Sequence, residues 1–412
     1  MINKVISFLN SNYLPLIIGI VVFSFVLSLM EISQPSQYMF DEDMHAFTAG
    51  LMARGEPRAY EWWHPPLVNE QNQYTYRAPA VEWLHPPLAK LAQATSIKIF
   101  GDTPFGWRLP SALAGALLAV FVSFFALELT RNRFIALLAG LLTTIEPLLM
   151  AQSRIASPDI FLAVFILLTV WLYWLWMVQR RPALLILTGV AFGVALATKW
   201  SALFILPGLA AFTWFYQTDN NTRIKLSHKL RQLFLSTFAI LSMGLGVYIF
   251  SFTQAIIQGK TAFDLIELHY QALNYQAQAE FEHPYASQPL QWLIGQVPVV
   301  YYYQQNGDQI TKIVAQPSAV LIILGVAGVA YSLVNINKPK LKRARKNKYL
   351  LPTRNAQLLL ACVIIFYWLP WFFISRPLFI YQLTPIMALL ILSIIVNTHS
   401  FRMRSKKSNS LF

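Results

Sequence analysis

Ten apolar runs divide the chain, near residues 13–30, 107–129, 134–150, 159–177, 183–198, 200–216, 232–252, 318–335, 356–374 and 378–397. A bilayer core of roughly 30 Å demands about 20 apolar residues of each spanning helix. The pattern therefore predicts an all-α polytopic membrane protein with about ten to eleven transmembrane helices, organised as one transmembrane domain over residues 1–412. Two long polar stretches, residues 31–106 and 253–317, interrupt it, and each carries a shorter helical signal. In the first, "HPPLAKLAQATSIKIF" reads as a helix begun by Pro86 and Pro87, because a missing N–H costs nothing in a first turn. Leu88, Leu91 and Ile99 then fall on its lipid side. In the second, Phe263, Ile266, Tyr270 and Leu273 recur at the spacing of a helix lying in the membrane interface. The first apolar run is followed by "EISQPS", without a small-residue cleavage pattern, and reads as a retained span.

Composition strengthens this picture. The chain is 56% hydrophobic and only 12% charged, against roughly 25% charged residues in soluble domains. Its single cysteine, Cys362, lies inside an apolar run, which excludes a disulfide framework and a cysteine metal site.

Charge sets the orientation. The segments "RNR", "QRRP", "RIKLSHKLRQ", "KPKLKRARKNK" and "RMRSKK" all fall on the side of Lys4, and an excess of Lys and Arg marks the cytoplasmic side. Both termini are then cytoplasmic, and residues 31–106 and 253–317 form two extracytoplasmic loops. Those loops hold 14 of the 18 acids but only 7 of the 32 bases. Most of the net charge of +14 is therefore topological, with juxtamembrane bases attracting anionic lipids. No nucleic-acid partner is expected, because "KLKRARKNK" is tethered between two spans.

Four bases do not follow this bias. Arg108, Arg154, Lys199 and Arg376 each sit at the outer end of a span, where a positive charge needs a partner or a hydrated cavity. One such residue could snorkel to the interface. Four, from four parts of the bundle, mark an anion site near headgroup depth, most simply for a lipid phosphate. Opposite them, "YMFDEDMHAF" sets Asp41, Glu42 and Asp43 about ten residues beyond the first span. The tail of the second loop, "EFEHPYASQPLQWLIGQVPVVYYYQ", suits a sugar, since aromatic faces pack on a pyranose while amides bond its hydroxyls. The same composition also suits an interfacial aromatic belt. The tetrapeptide His-Pro-Pro-Leu occurs twice, from His64 and from His85, and a rigid loop corner is the plain reading of either copy.

Seven segments in chain order resemble the protein O-mannosyltransferases, the dolichyl-phosphate-mannose-protein mannosyltransferase family. "FDEDMHAF" resembles its Phe-Asp-Glu motif and "EWLHPPLAKL" its Asp-Val-His-Pro-Pro-Leu-Gly-Lys stretch. "GWRLPSALAGAL" is similar to its arginine-bearing span start, "SRIASPDIFL" to its Ser-Arg-x-x-x-x-Asp segment and "ATKWSALF" to its Lys-Trp motif. "HPYASQPLQW" and "WFFISRPLFIYQLTP" are similar to its His-Pro-Tyr-x-Ser and Arg-x-x-Phe-x-Tyr-x-x-Pro stretches. The matches run from about residue 40 to 390. Family members are described with eleven spans and an outward C-terminus, where this chain reads as ten with an inward basic tail. No segment encodes the lumenal MIR domain of eukaryotic members, which implies a minimal prokaryotic form in the plasma membrane.

The resemblance implies a GT-C fold and a glycosyltransferase that moves mannose, or a related hexose, from a polyprenyl-phosphate carrier to Ser/Thr hydroxyls of exported proteins. An acceptor hydroxyl needs a base, and Asp41 is suitably placed. Glu42 and His85 are expected to bind the acceptor, and Asp43 to be solvated. The leaving phosphate needs no general acid, only fixed positive charge, which assigns Arg108, Arg154, Lys199 and Arg376 to it, with Arg108 and Arg376 foremost. Asp159 either orients Arg154 or forms a structural pair with it, while His283, Tyr285 and Trp292 line the sugar or acceptor cleft. The His64 copy lacks the following Ala-Lys-Leu, so the family role falls to His85. One base and a lipid-phosphate donor imply inversion by a single displacement. No spacing forms a dedicated metal site, no cofactor is required, and a divalent cation on Glu42 and the histidines is left open.

Other classes compete. A transporter or flippase of a lipid-linked sugar would show inverted repeats or charges near the midplane, whereas these charges cluster at span ends. The Trp-Trp-Asp motif of oligosaccharyltransferases is absent, "EWWHPP" being only superficially similar. A GT-C transferase that modifies a lipid or cell-envelope glycan stays open beside the protein-modifying reading, as does the oligomeric state.

Overall fold

In hydrocarbon a backbone must satisfy its N–H and C=O groups within its own segment, so each apolar run is constrained to form a helix. A computed structural model describes residues 13–62, 80–216, 226–279, 281–336 and 350–408. The second His-Pro-Pro-Leu copy at His64 and the loop "KPKLKRARKNK" lie outside the described residues. Five described helices, Pro104–Thr130, Asp159–Gln179, Leu226–Ile257, Thr353–Phe373 and Ile380–Phe401, are long and apolar enough to cross a membrane. Five shorter apolar ones, Tyr13–Leu29, Arg133–Ile145, Pro182–Leu196, Trp200–Phe215 and Ala319–Asn335, accompany them. Each falls on one of the ten runs.

In chain order the helices are α1 (Tyr13–Leu29), α2 (Glu42–Arg54), α3 (Leu88–Phe100), α4 (Pro104–Thr130), α5 (Arg133–Ile145), α6 (Pro147–Gln152), α7 (Asp159–Gln179) and α8 (Pro182–Leu196). They continue as α9 (Ile205–Phe215), α10 (Leu226–Phe250), α11 (Thr253–Ile257), α12 (Ala262–Gln278), α13 (Ala319–Ile336), α14 (Leu350–Trp368) and α15 (Thr384–Ser408). Helix α15 is the most enclosed of the long helices and packs on α13, α14 and α7, whereas α10 lies at the periphery against α8. Lipid tails are as apolar as leucine, so helices in a bilayer associate through close packing of small residues. The "GVAFG" of α8 does this: a Cβ on Gly193 would meet Gly244 Cα of α10 at 2.8 Å. Gly208 does the same for α9 on α14, where a Cβ would meet Val363 Cα at 2.8 Å and the Cys362 carbonyl at 2.9 Å.

The connections that carry the candidate chemistry gather at one end of the bundle. There Arg154 donates to the Met30 carbonyl, Glu146 accepts from Ser318 N–H at 2.9 Å, and Ser287 N–H donates to the Leu378 carbonyl at 2.8 Å. The first N–H of α3, on Leu88, donates to the Ala197 carbonyl just past α8 at 3.0 Å, so two unsatisfied helix ends complete each other.

Three expectations need correction. The helix after His85 begins at Leu88, with Pro87 as its N-cap, and packs on α2 and α4. Leu88 and Leu91 are accordingly half-buried against protein, and Ile99 alone of the three is exposed. The acid cluster is not loop throughout, because Glu42 opens helix α2. The fold is not wholly helical: Val299–Asn306 (β1) and Gln309–Ala315 (β2) pair antiparallel about a Gly307–Asp308 turn. Gly307 has φ of +59°, the left-handed conformation that such a two-residue turn requires. Helix α12 leaves Phe263, Ile266, Tyr270 and Leu273 exposed on one stripe and buries Leu268 and Ala272, as its spacing predicts.

Because no side chain is available to yield at the α9–α14 contact, Gly208→Ala is expected to cost about 1–3 kcal/mol through overpacking. Gly246→Ala, with nothing within 4 Å of its Cβ, is the matched control, which gains only the helix propensity of alanine. Thermal melting of the two purified variants in one detergent checks the difference.

Candidate active site

Glu42, the first residue of α2, and Arg108, in the first turns of α4, are both completely buried. Arg108 Nε and Nη2 donate to the two Glu42 oxygens at 2.8 Å each, a bidentate pair. The remaining guanidinium N–H groups donate to the carbonyls of Ile32 and Pro35 at 2.9 Å and of Gln37 at 3.0 Å. Glu42 in turn accepts the backbone N–H groups of Met39 at 2.9 Å and Ala156 at 2.8 Å. An arginine carries five donors, and all five are committed. Arg108 therefore has no donor left for a phosphate, and Glu42 has no access to an acceptor. The pair instead locks residues 32–42, the start of α4 and the loop before α7 into one block.

That block aims Asp41. Phe40 holds φ of +43°, a left-handed conformation unusual for a bulky residue. Its ring packs 5.1 Å from Tyr301, 6.0 Å from Tyr381 and 6.3 Å from His283, which offsets a strain of about 1–3 kcal/mol. Asp41 follows as the N-cap of α2 without a capping side-chain bond, its carbonyl accepting from Met44 and His45. Its carboxylate lines a cavity of about 50 Å³ together with His85, Asp159, Lys199, Arg376 and Tyr381. A second cavity of about 100 Å³ shares Asp41, His45, His85 and Tyr381 and is walled by Trp83, Tyr275, His283 and Phe379. Arg376 also borders an open cleft of about 580 Å³, lined by Glu282, Ser287, Gln288 and Gln291. A volume of that size is typical of small-molecule sites, about 300–1,000 Å³.

Around the two cavities, the charges of the described residues are paired with two exceptions. Lys199 Nζ donates to Asp159 Oδ1 at 2.9 Å and lies 5.6 Å from the Tyr381 ring centroid. Lys90 is paired with Glu82, and Arg108 with Glu42. Among the described residues lining the two cavities, Asp41 and Arg376 alone carry charge outside a hydrogen-bonded ion pair. Burial, then the neighbouring Asp43, pushes the Asp41 carboxyl well above the usual carboxylate range, and Lys199 opposes them. Burial lowers Arg376 from its usual value. His45 is held neutral by burial, down to about 3.

Several sequence expectations move. Asp159 pairs with Lys199 and not with Arg154, whose guanidinium is bound to the Met30 carbonyl away from the cavities. Trp292 is fully buried, donates to Ser287 Oγ at 2.8 Å and packs on Trp368 and Trp371, so it belongs to the core and lines none of these three cavities. His283 lines the second cavity and accepts the Tyr285 N–H at 3.1 Å; Tyr285 stands behind it, with ring centroids 5.5 Å apart. Asp43 is half-buried with Oδ1 shielded and unpartnered, and burial pushes its pKa up to about 7, unlike a solvated carboxylate. Sequence reasoning missed Glu82, Lys90, His45 and Tyr381. Their signals were present, since His45 follows Asp41 by four residues on one helix and the others lie inside the quoted motifs. Among the described residues no group of three His, Cys, Asp or Glu converges as a metal site.

Helices joined by loops that gather acids and bases at one end define a polytopic membrane protein with a candidate site at one end of its bundle. Residues 18–258 match the dolichyl-phosphate-mannose-protein mannosyltransferase family, and residues 261–411 match the C-terminal four TMM region of protein-O-mannosyltransferase; the chain belongs to this family. A polyprenol-phosphate-mannose–protein mannosyltransferase of Corynebacterium glutamicum is 30% identical over 141 residues, which cover 29% of this chain and 27% of that protein. Its namesake in Mycolicibacterium smegmatis is 25% identical over 159 residues, covering 32% of this chain and 30% of that protein. The matched stretches thus span under a third of these relatives' lengths. The S. cerevisiae protein O-mannosyltransferase Pmt1-Pmt2 complex bound to the sugar donor superposes with a TM-score of 0.69 at 12% identity, over 94% of this chain and 85% of that one. ArnT from Cupriavidus metallidurans bound to undecaprenyl phosphate gives 0.54 at 17% identity, over 94% of this chain and 60% of that one. At these identities the likeness is one of fold.

Breaking a buried pair strands a charge, so Glu42→Gln and Arg108→Met are each expected to destabilise the protein by about 3–5 kcal/mol. The charge-free double variant should cost less than the sum of the two. Melting of all four proteins closes the cycle, and additive losses would show that the pair is not coupled.

Proposed function

We propose that the protein transfers mannose, or a related hexose, from a polyprenyl-phosphate carrier to Ser or Thr hydroxyls of exported proteins, on the extracytoplasmic face of a prokaryotic plasma membrane. One observation carries the reading: Asp41 and Arg376, the two charges outside ion pairs among the described residues lining the two cavities, border one cavity at the end of the bundle. Family membership supports it, as does the fold shared with one structure bound to a sugar donor and another bound to undecaprenyl phosphate.

The chemistry is a single displacement with inversion. The acceptor hydroxyl gives its proton to Asp41 as its oxygen bonds the anomeric carbon, and the bond from that carbon to the phosphate oxygen breaks. The phosphate leaves as an anion, so fixed positive charge is what lowers the barrier. Arg376, open to the 580 Å³ cleft, and Lys199, with N–H groups beyond the one on Asp159, supply it. Arg108 and Glu42 act at a distance by holding Asp41 in place. A general base works best when its pKa lies near the operating pH, and the upward shift of Asp41 is in that direction. Charges gathered at the end of the bundle, and not at mid-depth, weigh against a flippase.

Reconstituted protein given radiolabelled polyprenyl-phosphate mannose and a Ser/Thr-rich peptide should label the peptide. Label on a lipid glycan alone would replace the protein acceptor, and carrier movement without transfer would sink the reading. Asp41→Asn should abolish transfer and keep donor binding, whereas Arg376→Ala should weaken donor binding. Activity requires ionised Asp41, so it should fall as pH drops through a value above the ordinary carboxylate range of about 4. Lys199 favours the ionised form, so Lys199→Met should move that acidic limb to higher pH in a kcat/KM profile.

A further inference from the structure

Glu82 has no part in the displacement, yet it is nearly inaccessible and, like Glu42, its carboxylate is satisfied by four hydrogen bonds. Its Oε1 lies 2.7 Å from His85 Nδ1 and accepts the backbone N–H groups of Leu84 and His85 at 3.0 Å each. Its Oε2 is paired with Lys90 Nζ, which also donates to the Glu82 carbonyl at 2.7 Å and the His85 carbonyl at 2.9 Å. Burial alone would raise the Glu82 carboxyl, but the Lys90 charge and the His85 bond outweigh it and hold it well below its usual range. An ionised carboxylate only accepts hydrogen bonds, so the hydrogen between it and His85 belongs to Nδ1. Burial keeps His85 itself neutral. A neutral ring with hydrogen on Nδ1 presents a bare lone pair at Nε2, and the ring lines both cavities beside Asp41.

What the lone pair takes follows from valence. The acceptor hydroxyl has one hydrogen, and Asp41 removes it. The donor sugar has several hydroxyls, and the space around His85 is walled by Phe40, Trp83, Phe379 and Tyr381, rings that suit the C–H face of a pyranose. We infer that Glu82 and Lys90 are positioning residues that fix the His85 tautomer, and that His85 Nε2 accepts a hydrogen bond from one hydroxyl of the donor hexose and so contributes to sugar selection. The identity of the hydroxyl's owner rests on the transferase reading above; the tautomer does not.

Two measurements separate these layers. Histidine-¹⁵N spectra of the full-length protein in nanodiscs, with the His85 signal assigned by its loss in His85→Asn, should show a protonated Nδ1 and a bare Nε2. The charge-free Glu82→Leu/Lys90→Met variant, which leaves no acceptor for the Nδ1 hydrogen, should lose that pattern. A wild-type ring protonated at Nε2, or an unchanged pattern in the double variant, would overturn the positioning claim. In transfer assays His85→Asn, which can keep the Glu82 bond but offers nothing at the Nε2 position, should lower kcat/KM about 10- to 100-fold, the cost of one buried hydroxyl left unpaired. His85→Gln, whose longer amide can return an oxygen there, should recover part of the loss. Among the 2-, 3-, 4- and 6-deoxy sugar donors, one should already be impaired with the wild type and lose nothing more in His85→Asn. Equal further losses with all four would mean a structural role and refute the sugar contact. If the wild type transfers no hexose from any of these donors, the transferase reading and the sugar contact with it fail, and the tautomer spectrum still decides the positioning claim.

Discussion

The buried pair of Glu42 and Arg108 is the constraint on which the rest of the site depends. Two charges taken out of water are costly unless every lone pair and N–H finds a partner. Here the five guanidinium donors and both carboxylate oxygens are satisfied within the protein. Those partners come from the segment after α1, from the starts of α2 and α4, and from the loop before α7. A one-residue slip of any of them would leave a buried charge or amide unpaired. The pair thus converts a polar segment into a rigid mount, and Asp41 is the residue next to it.

Pairing also decides which charges remain chemically available. Lys199 is tied to Asp159 and Lys90 to Glu82, so their fields shape the cavity while their positions stay fixed. Asp41 and Arg376 keep their hydrogen-bonding capacity and border one cavity. The aromatic rings of Phe40, Tyr301, Phe379 and Tyr381 serve two ends at once: they hold the left-handed backbone at Phe40 and give the cavity its apolar walls. Fixed dipoles and charges in such a dry setting act far more strongly than in water.

Much of the bundle was legible because its signals are local. Twenty apolar residues in a row have few alternatives to a helix, and the stripe of Phe263, Ile266, Tyr270 and Leu273 depends only on spacing within one segment. The hairpin of β1 and β2 was missed although its Asn-Gly-Asp turn and alternating pattern were present, because the Tyr and Gln content was read as a surface for sugar. Asp41, Lys199, Arg376 and His85 were expected at one site and line one cavity. Arg108, Glu42, Asp159 and Trp292 were placed at the right end of the bundle but took other partners.

From its sequence alone this protein was determined to be a polytopic helical chain with acids and unneutralised bases gathered at one end, and motif by motif to resemble one family. Those properties follow from the length of apolar runs and from which side of the hydrocarbon a charge can occupy. Only the tertiary structure decided which base meets which acid. An arginine at a span end looks the same whether it waits for a phosphate or closes a salt bridge, and the difference lies in hydrogen bonds between residues up to 124 positions apart.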